Sequence, residues 1–125
     1  AAGGLERRRT SAADLDGAQE APGPGDDDGV GDAFVEVVGD GLLCVSLSAQ
    51  RVDRVTAAHI HRGAPGVAAP VVVPLPAPVF GHVGDCVEAD PAVVADIGAN
   101  PQQYYVNVHT AAFPNGAIRG QLGGQ

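Results

Sequence analysis

Three of the four histidines in this sequence have a spacing that suits one shared metal ion. His59 and His61 are two residues apart in a β-rich run, residues 56–61, and His109 lies in a second such run near the C-terminus. Side chains two apart on a strand point to the same face with Cα atoms about 6.5–7 Å apart, so two imidazoles can converge on an ion at about 2 Å each. If a neighbouring strand carries His109, the three rings form a three-nitrogen site with an open coordination position.

The chemistry of imidazole predicts which metal such a site would hold. Imidazole nitrogens bind copper, zinc and nickel, and we expect copper first and zinc second. Because the ligands are neutral imidazoles, the affinity should fall below about pH 6. Asn107, Arg119 and Gln121 lie in the same C-terminal part of the chain and are candidates for the polar partners that orient the histidines.

A purely structural role explains the same residues. His59 and His61 can hydrogen-bond to loop carbonyls or to Asn107, and Arg119 can hold a C-terminal loop in place. The cluster would then be a structural or partner-binding polar group that needs no metal. The pattern alone leaves both interpretations open.

No arrangement of residues indicates covalent catalysis or phosphate binding. Ser46 and Ser48 have no base nearby in sequence, and the sequence contains no Gly-rich strand–turn–helix phosphate loop. The adjacent carboxylates of residues 26–28 lack the alternating ligands of a calcium loop, so we interpret them as part of a solvated acidic loop, residues 21–31. His82 is predicted to lie in a surface loop. We assign no catalytic residue and favour a non-catalytic protein.

Length and charge exclude several classes of protein. The chain has 125 residues, which is the length of one domain, and a net charge of −8. All its basic residues are arginines, of which only Arg7, Arg8 and Arg9 are clustered. Nucleic-acid binding needs many clustered basic residues, so the composition excludes that function. No run of 18 apolar residues occurs, which argues against a transmembrane segment.

The N-terminus and the two cysteines indicate an exported protein. The chain begins Ala1-Ala2-Gly3-Gly4 without a methionine, as cleavage of a signal peptide at small residues would leave it. In an exported domain Cys44 and Cys86 are expected to form a disulfide, whereas in a cytosolic protein they would be two buried thiols. We expect a secreted protein, extracellular or on the periplasmic side of the cell envelope.

Periodicity predicts a chain of short strands. Residues 1–12 are predicted to be a disordered tail and residues 13–123 one domain. Strands are predicted at residues 15–20, 33–38, 42–48, 56–61, 71–73, 104–110 and 117–122. One short helix is predicted where Asp90 can cap, Pro91 can begin and Gly98 can end it. The fold class is therefore all-β, a Greek-key sandwich or flattened barrel of immunoglobulin-like type, with one short helix and one disulfide.

The last two strands carry a register prediction. The buried positions of both are even-numbered, so each cross-strand pair must join two even or two odd residues. A three-residue loop, residues 114–116, satisfies that condition with Gly116 in a left-handed conformation. His109 would then face outward opposite Gln121, with Arg119 one diagonal step away.

Several ordered motifs resemble the CHRD domain, the module repeated in chordin. Along the chain come Thr56-Ala-Ala-His-Ile-His-Arg-Gly63, Pro70-Val-Val-Val-Pro-Leu75, Tyr104-Tyr-Val-Asn-Val-His-Thr110 and Gly116-Ala-Ile-Arg-Gly-Gln-Leu122. The resemblance covers roughly residues 14–122. It implies an extracellular or cell-envelope β domain and implies no reaction.

A second resemblance is to copper/zinc superoxide dismutase, and it adds that family's fold to the possible types of β-sandwich. His59, His61, His109 and Arg119 occur in the order of that family's copper ligands and its nearby arginine. No histidine follows His61 closely enough to be the metal-bridging ligand, and a tight hairpin replaces the long loop before the arginine.

We interpret the chain as a secreted CHRD-domain binding or structural module that binds a transition metal through three histidines. One alternative is a copper-dependent, dismutase-like redox protein. Another is an accessory subunit of a larger cell-envelope complex, with a protein partner. The roles of the acidic loop and of the three clustered arginines stay open.

Overall fold

A computed structural model describes residues 9–124 as one barrel-like antiparallel sheet. In order along the sheet the strands are β5-β4-β7-β8-β1-β2-β3-β6, and β9 pairs with β1. The strands are β1 Arg9–Asp16, β2 Val30–Gly39, β3 Leu42–Gln50, β4 Val55–Arg62, β5 Val71–Leu75, β6 His82–Glu88, β7 Tyr104–Thr110, β8 Ile118–Gln121 and β9 Gly123–Gly124. Helix α1 is Pro91–Ala99, and two 3-10 turns are Gly17–Gln19 and Pro101–Gln103. The predicted all-β class is confirmed. Among the described residues, no helix is long and apolar enough to span a membrane.

The core forms because apolar residues alternate along the strands. In β3, Leu43, Val45 and Leu47 are buried, whereas Cys44 and the serines between them lie on the outer face. The matching inner positions of β4, β7 and β8 add Ile60, Val106, Val108 and Ile118, all fully buried. The sheet therefore curls around these side chains.

Helix α1 forms where its capping residues predict it. The Asp90 carboxylate accepts a hydrogen bond from the backbone N–H of Ala92, 2.8 Å away, and Pro91 is the first helical residue. Val94 and Ile97 are buried. The helix continues through Gly98 and ends at Ala99.

The first strand lies earlier than predicted. Strand β1 ends at Asp16, whose carboxylate caps the 3-10 turn by accepting from the N–H of Gln19 at 3.1 Å. The prediction of a strand at 15–20 was therefore wrong from residue 17 onward. Residues 9–12 belong to β1 and not to a tail, because Ser11 is buried on the inner side of the strand. Residues 1–8 of the predicted tail lie outside the described part of the chain.

Strand β6 was not predicted. It pairs along its whole length with β3, and its part-buried inner residues Val83 and Val87 flank the exposed Asp85. Cys86 lies directly opposite Cys44 and forms the predicted disulfide, with a Cα–Cα distance of 3.9 Å. His82 is exposed but lies in this strand and not in a loop, so that prediction was wrong.

The final hairpin keeps the predicted parity in a different register. Tyr105 pairs with Gln121, and Asn107 pairs with Arg119, so Gln121 does not face His109. The connection is long, residues 111–117, because Ala111 and Ala112 donate hydrogen bonds to Arg54 and Asp53 just before β4. Gly116 takes the expected positive φ, 130°.

Candidate metal site

The pairing of β4 with β7 brings the three histidines together. His59 lies opposite Asn107, and His109 lies two residues further along β7, opposite Ala57. One ring nitrogen from each of His59, His61 and His109 lies within 4.8 Å of the others. The three predicted ligands therefore form one cluster.

His109 presents an unprotonated nitrogen to His59. Its Nδ1 is 2.9 Å from the carbonyl oxygen of Pro114, which can only accept, so in the neutral ring Nδ1 carries the proton and Nε2 the lone pair. That Nε2 therefore accepts a hydrogen bond from Nδ1 of His59, 3.1 Å away. Two nitrogens bound to one tetrahedral ion at about 2.0–2.1 Å are about 3.3 Å apart. The observed spacing is close to that of a ligand pair.

His61 is fixed in the same way but is already engaged at both nitrogens. Its Nδ1 is 2.7 Å from the carbonyl oxygen of Ala69, and its Nε2 is 2.9 Å from Asn107 Oδ1. Both oxygens can only accept, so a neutral ring donates to one of them and a protonated ring to both. When Nδ1 donates to Ala69, Nε2 is the nitrogen that can bind an ion. An ion at this position therefore requires the Asn107 amide to move aside.

Burial lowers the pKa of two of the histidines and so favours their neutral form. The pKa of His59 is lowered mainly by burial and then by the neighbouring His109 and His61. The pKa of His61 is also lowered by burial, although its hydrogen bonds to Ala69 and Asn107 oppose the shift. Neutral imidazole is the form that binds metal.

A loop covers the face of β7 and β8 that the sequence predicts to be exposed. This loop, residues 63–70, is here called the strap. Its Ala64 carbonyl accepts from Arg119 at 2.9 Å, its Gly63 carbonyl accepts from Gln121 at 2.7 Å, and its Ala69 carbonyl accepts from His61. As a result Asn107 is only 4% exposed, Arg119 1% and His61 7%. The polar cluster is therefore mostly interior.

Tyr105 connects the histidines to Arg119. Its ring stacks on the His61 ring with centroids 4.6 Å apart, and the Arg119 guanidinium carbon lies 3.3 Å from the Tyr105 centroid. The Tyr105 hydroxyl accepts from the N–H of Ala69 at 3.0 Å. Tyr105 was not among the site residues predicted from the sequence. Its odd-numbered position, shared with Asn107 and His109, was the signal that places it on the cluster's face.

The polar partners named from the sequence lie at different distances from the histidines. Asn107 contacts His61 directly. Arg119 touches Tyr105 and the strap, and Gln121 bonds to the carbonyls of Gly63 and Gln102. Arg119 thus holds a loop, as the structural interpretation expected, but the loop is the strap and not a C-terminal one.

Glu20 is a member of the cluster that sequence reasoning missed. Burial raises its pKa to about 7, although the charge of Arg119 and a hydrogen bond with Asn107 oppose the shift. Its carboxyl group packs against Gly116, where an added Cβ would lie within 2.6 Å of Oε2. Among the described residues, Glu20 Oε2 and Arg119 Nη1 are buried without a hydrogen-bond partner. No local sequence pattern predicts that Glu20 joins the cluster, because its position depends on the path of the loop that carries it.

Ser46 also has a partner that sequence spacing hid. Its hydroxyl oxygen is 2.9 Å from Nε2 of His82, on the exposed outer face of β3 and β6. Ser46 has no base nearby in sequence, but the pairing of β3 with β6 brings His82 next to it.

Comparison with known families places the chain. The model of the CHRD domain matches residues 11–122. The chain belongs to the CHRD domain family. This confirms the resemblance based on the strand motifs and extends it to β1. No curated protein and no solved structure matches the chain.

Proposed function

We propose that this CHRD domain is an extracellular binding module that holds one transition-metal ion on His59, His61 and His109. Copper is the first candidate and zinc the second, because neutral imidazoles suit both. The single observation that carries the proposal is the convergence of three ring nitrogens within 4.8 Å.

The hydrogen bonds around the rings support the proposal. Metal-binding histidines usually donate their second N–H to a carbonyl or carboxylate, which fixes the tautomer and the ring orientation. His61 does this to Ala69, and His109 does it to Pro114. With Nδ1 donating, each ring can offer Nε2 to an ion, at the expense of the contact with Asn107 in the case of His61 and of the hydrogen bond with His59 in the case of His109.

The structural role remains the competing function, and one observation favours it. The Ala69 carbonyl accepts from His61, and its N–H donates to Tyr105, so the same side chains close the strap over β7 without any metal. The two functions predict different results when metal is added, because only the metal site would give a saturable heat of binding.

Calorimetric titration of the metal-stripped protein with Cu²⁺, and separately with Zn²⁺, tests the proposal. We expect one ion per chain, and we expect the His59→Ala/His61→Ala double variant to lose binding. The His82→Ala variant is the matched control, because His82 is exposed on another part of the sheet.

Two results would contradict a metal site here. One is the absence of saturable binding in the wild-type protein. The other is binding that survives in a folded double variant, which would place the ion elsewhere and leave the cluster with its structural role.

A further inference from the structure

The two end strands of the sheet differ in how their outer edges are protected. Strand β5 contains Pro74 and lies between Pro70 and Pro76. Proline removes a backbone donor, and sheets use it on edges to prevent further pairing. Strand β6 contains no proline and carries Gly84 at its centre. The β6 edge is therefore the more open of the two.

The register with β3 identifies the backbone groups that this edge presents. The N–H of Ala49 donates to Gly81 at 3.0 Å, and the N–H of Ala89 donates to Gly41 at 2.9 Å. Odd-numbered residues of β6 thus bond to β3, and the narrow 3.9 Å spacing of Cys44 and Cys86 agrees with a pair that is not hydrogen-bonded. The residues whose N–H and C=O point outward are His82, Gly84, Cys86 and Glu88.

Most of these outward groups have no backbone partner. Among the described residues, the backbone–backbone hydrogen bonds formed outside the strands do not reach the four outward residues. The N–H of Cys86 has a side-chain partner instead, because it donates to Asp85 Oδ1 at 2.8 Å. The Asp85 carboxylate therefore occupies the N–H of Cys86, and the N–H groups of Gly84 and Glu88 on either side stay available for pairing.

Charge decides what kind of strand fits. Strand β6 carries Asp85 and Glu88 and has no lysine or arginine, in a chain of net charge −8. A second copy of β6 would bring like charges together across the pair, which is unfavourable. A basic strand would instead offer a cation to Asp85 when its carboxylate releases the Cys86 N–H.

The turn before β6 adds an apolar contact surface. Phe80 is 99% exposed and Val79 55% exposed. Their turn is fixed by the hydrogen bond from the Gly81 N–H to the Pro78 carbonyl at 3.0 Å. Phe80 and Val79 thus form a small exposed apolar surface next to the first residue of β6.

We propose that the outer edge of β6 is the docking site for an extended basic segment of a partner protein, which adds to the sheet as a further strand. Backbone pairing supplies the affinity, and the carboxylates select for basic side chains. Phe80 packs on apolar atoms of the incoming strand. This site is separate from the histidine cluster and does not depend on metal binding.

The test uses the full chain and a capped seven-residue peptide of alternating lysine and threonine. Amide hydrogen exchange followed by NMR should show the Gly84 and Glu88 amides exchanging at least tenfold more slowly at saturating peptide. The same peptide with every backbone amide N-methylated keeps its charge but cannot pair, and it should give no protection.

Substitutions at one position provide the matched control. Gly84→Pro removes an outward N–H that β3 does not use, so the protein should fold and bind the peptide at least tenfold more weakly. Gly84→Ala keeps the N–H, and its Cβ would meet its nearest atoms at an ordinary 3.8 Å, so its affinity should stay within twofold of wild type. Phe80→Ala should weaken binding severalfold.

Three outcomes would overturn the proposal. Equal binding of the N-methylated peptide would mean that net charge alone attracts it. Protection at another part of the sheet would place the site elsewhere. Protection of Gly84 that depends on protein concentration without peptide would identify a second copy as the occupant.

Discussion

Two regions of this sheet each have a polar face, with alternating sequence on β3 and β4, but their surroundings are very different. On the polar face of β4 and β7, His61 and Asn107 lie under the strap and are almost completely buried, whereas His59 and His109 are half-buried. On β3 and β6 the polar face, with Ser46 and His82, is exposed. Alternation therefore predicts which side chains share a face, but it does not predict whether that face is covered.

The two regions are also held together by different means. The β4–β7 region depends on a network of polar contacts between side chains and the strap. The β3–β6 region has few such contacts and is joined by the Cys44–Cys86 disulfide instead. Breaking each region should therefore need a different perturbation.

The largest expected effect is the loss of the disulfide. It closes a loop across a sequence separation of 42 residues. Constraint of the unfolded chain by such a loop is worth about 4 kcal/mol. The Cys44→Ser/Cys86→Ser variant should therefore unfold at a much lower denaturant concentration in chemical denaturation. The same midpoint for the variant and the oxidised wild type would show that strand pairing alone holds β6.

The second largest effect should come from Arg119. Replacing it with methionine removes the contact on Tyr105 and one of the two hydrogen bonds that the Ala64 carbonyl accepts, the other coming from the N–H of Val67. This should destabilise the fold by about 2–3 kcal/mol. The matched Arg51→Met change, at an exposed ion pair with Asp28, should alter the free energy of unfolding by less than about 0.5 kcal/mol. Similar effects of the two substitutions would mean that burial of the guanidinium contributes nothing.

These differences mark what the sequence can and cannot predict. The parity of the last hairpin follows from its buried even-numbered residues, but its offset does not, because Asp53 and Arg54 hold the loop from another part of the chain. Strand β6 escapes detection because Asp85 interrupts its two inner valines. Periodicity describes a strand by itself, whereas offsets and edges are set by neighbours.

The candidate site divides in the same way. The three histidines could be identified because strand spacing puts them on one face, and residue type indicates their chemistry. Glu20 and the strap could not, because their approach depends on loop paths that no local pattern encodes. The covering of the cluster, and with it the lowered pKa of His59 and His61, is a tertiary effect.

The pH dependence of stability should show the same network. The pKa of Glu20 is raised from 4.5 to about 7, so its folded form favours the proton, and stability should be lost as pH rises from about 4.5 through 7. After allowance for solvent screening of this partly exposed carboxyl, the loss should be about 1–2 kcal/mol.

The Glu20→Gln variant isolates that contribution, because it cannot ionise. The free energy of unfolding of the variant minus that of the wild type should be larger at pH 8 than at pH 5. Urea denaturation of both proteins at the two pH values measures this difference. The lowered pKa of His59 and His61 acts in the opposite sense in both proteins, with stability lost as pH falls below about 6.5. A parallel pH profile for the two proteins would contradict a protonated Glu20.

The smallest expected effect is at His82, and it sharpens the contrast between the two faces. His82 is exposed and bonds only to Ser46 among the hydrogen bonds described, so His82→Ala should change the free energy of unfolding by less than about 0.5 kcal/mol. His61→Ala removes a donor to the Ala69 carbonyl and leaves a buried gap beside Tyr105, which should destabilise by about 2 kcal/mol. Both substitutions replace a strand histidine with alanine, so the variable that differs is the cover that the strap provides over His61. Equal effects in urea denaturation would show that the strap does not shield His61 in solution, and the cluster would then be as open to solvent as the face of β6.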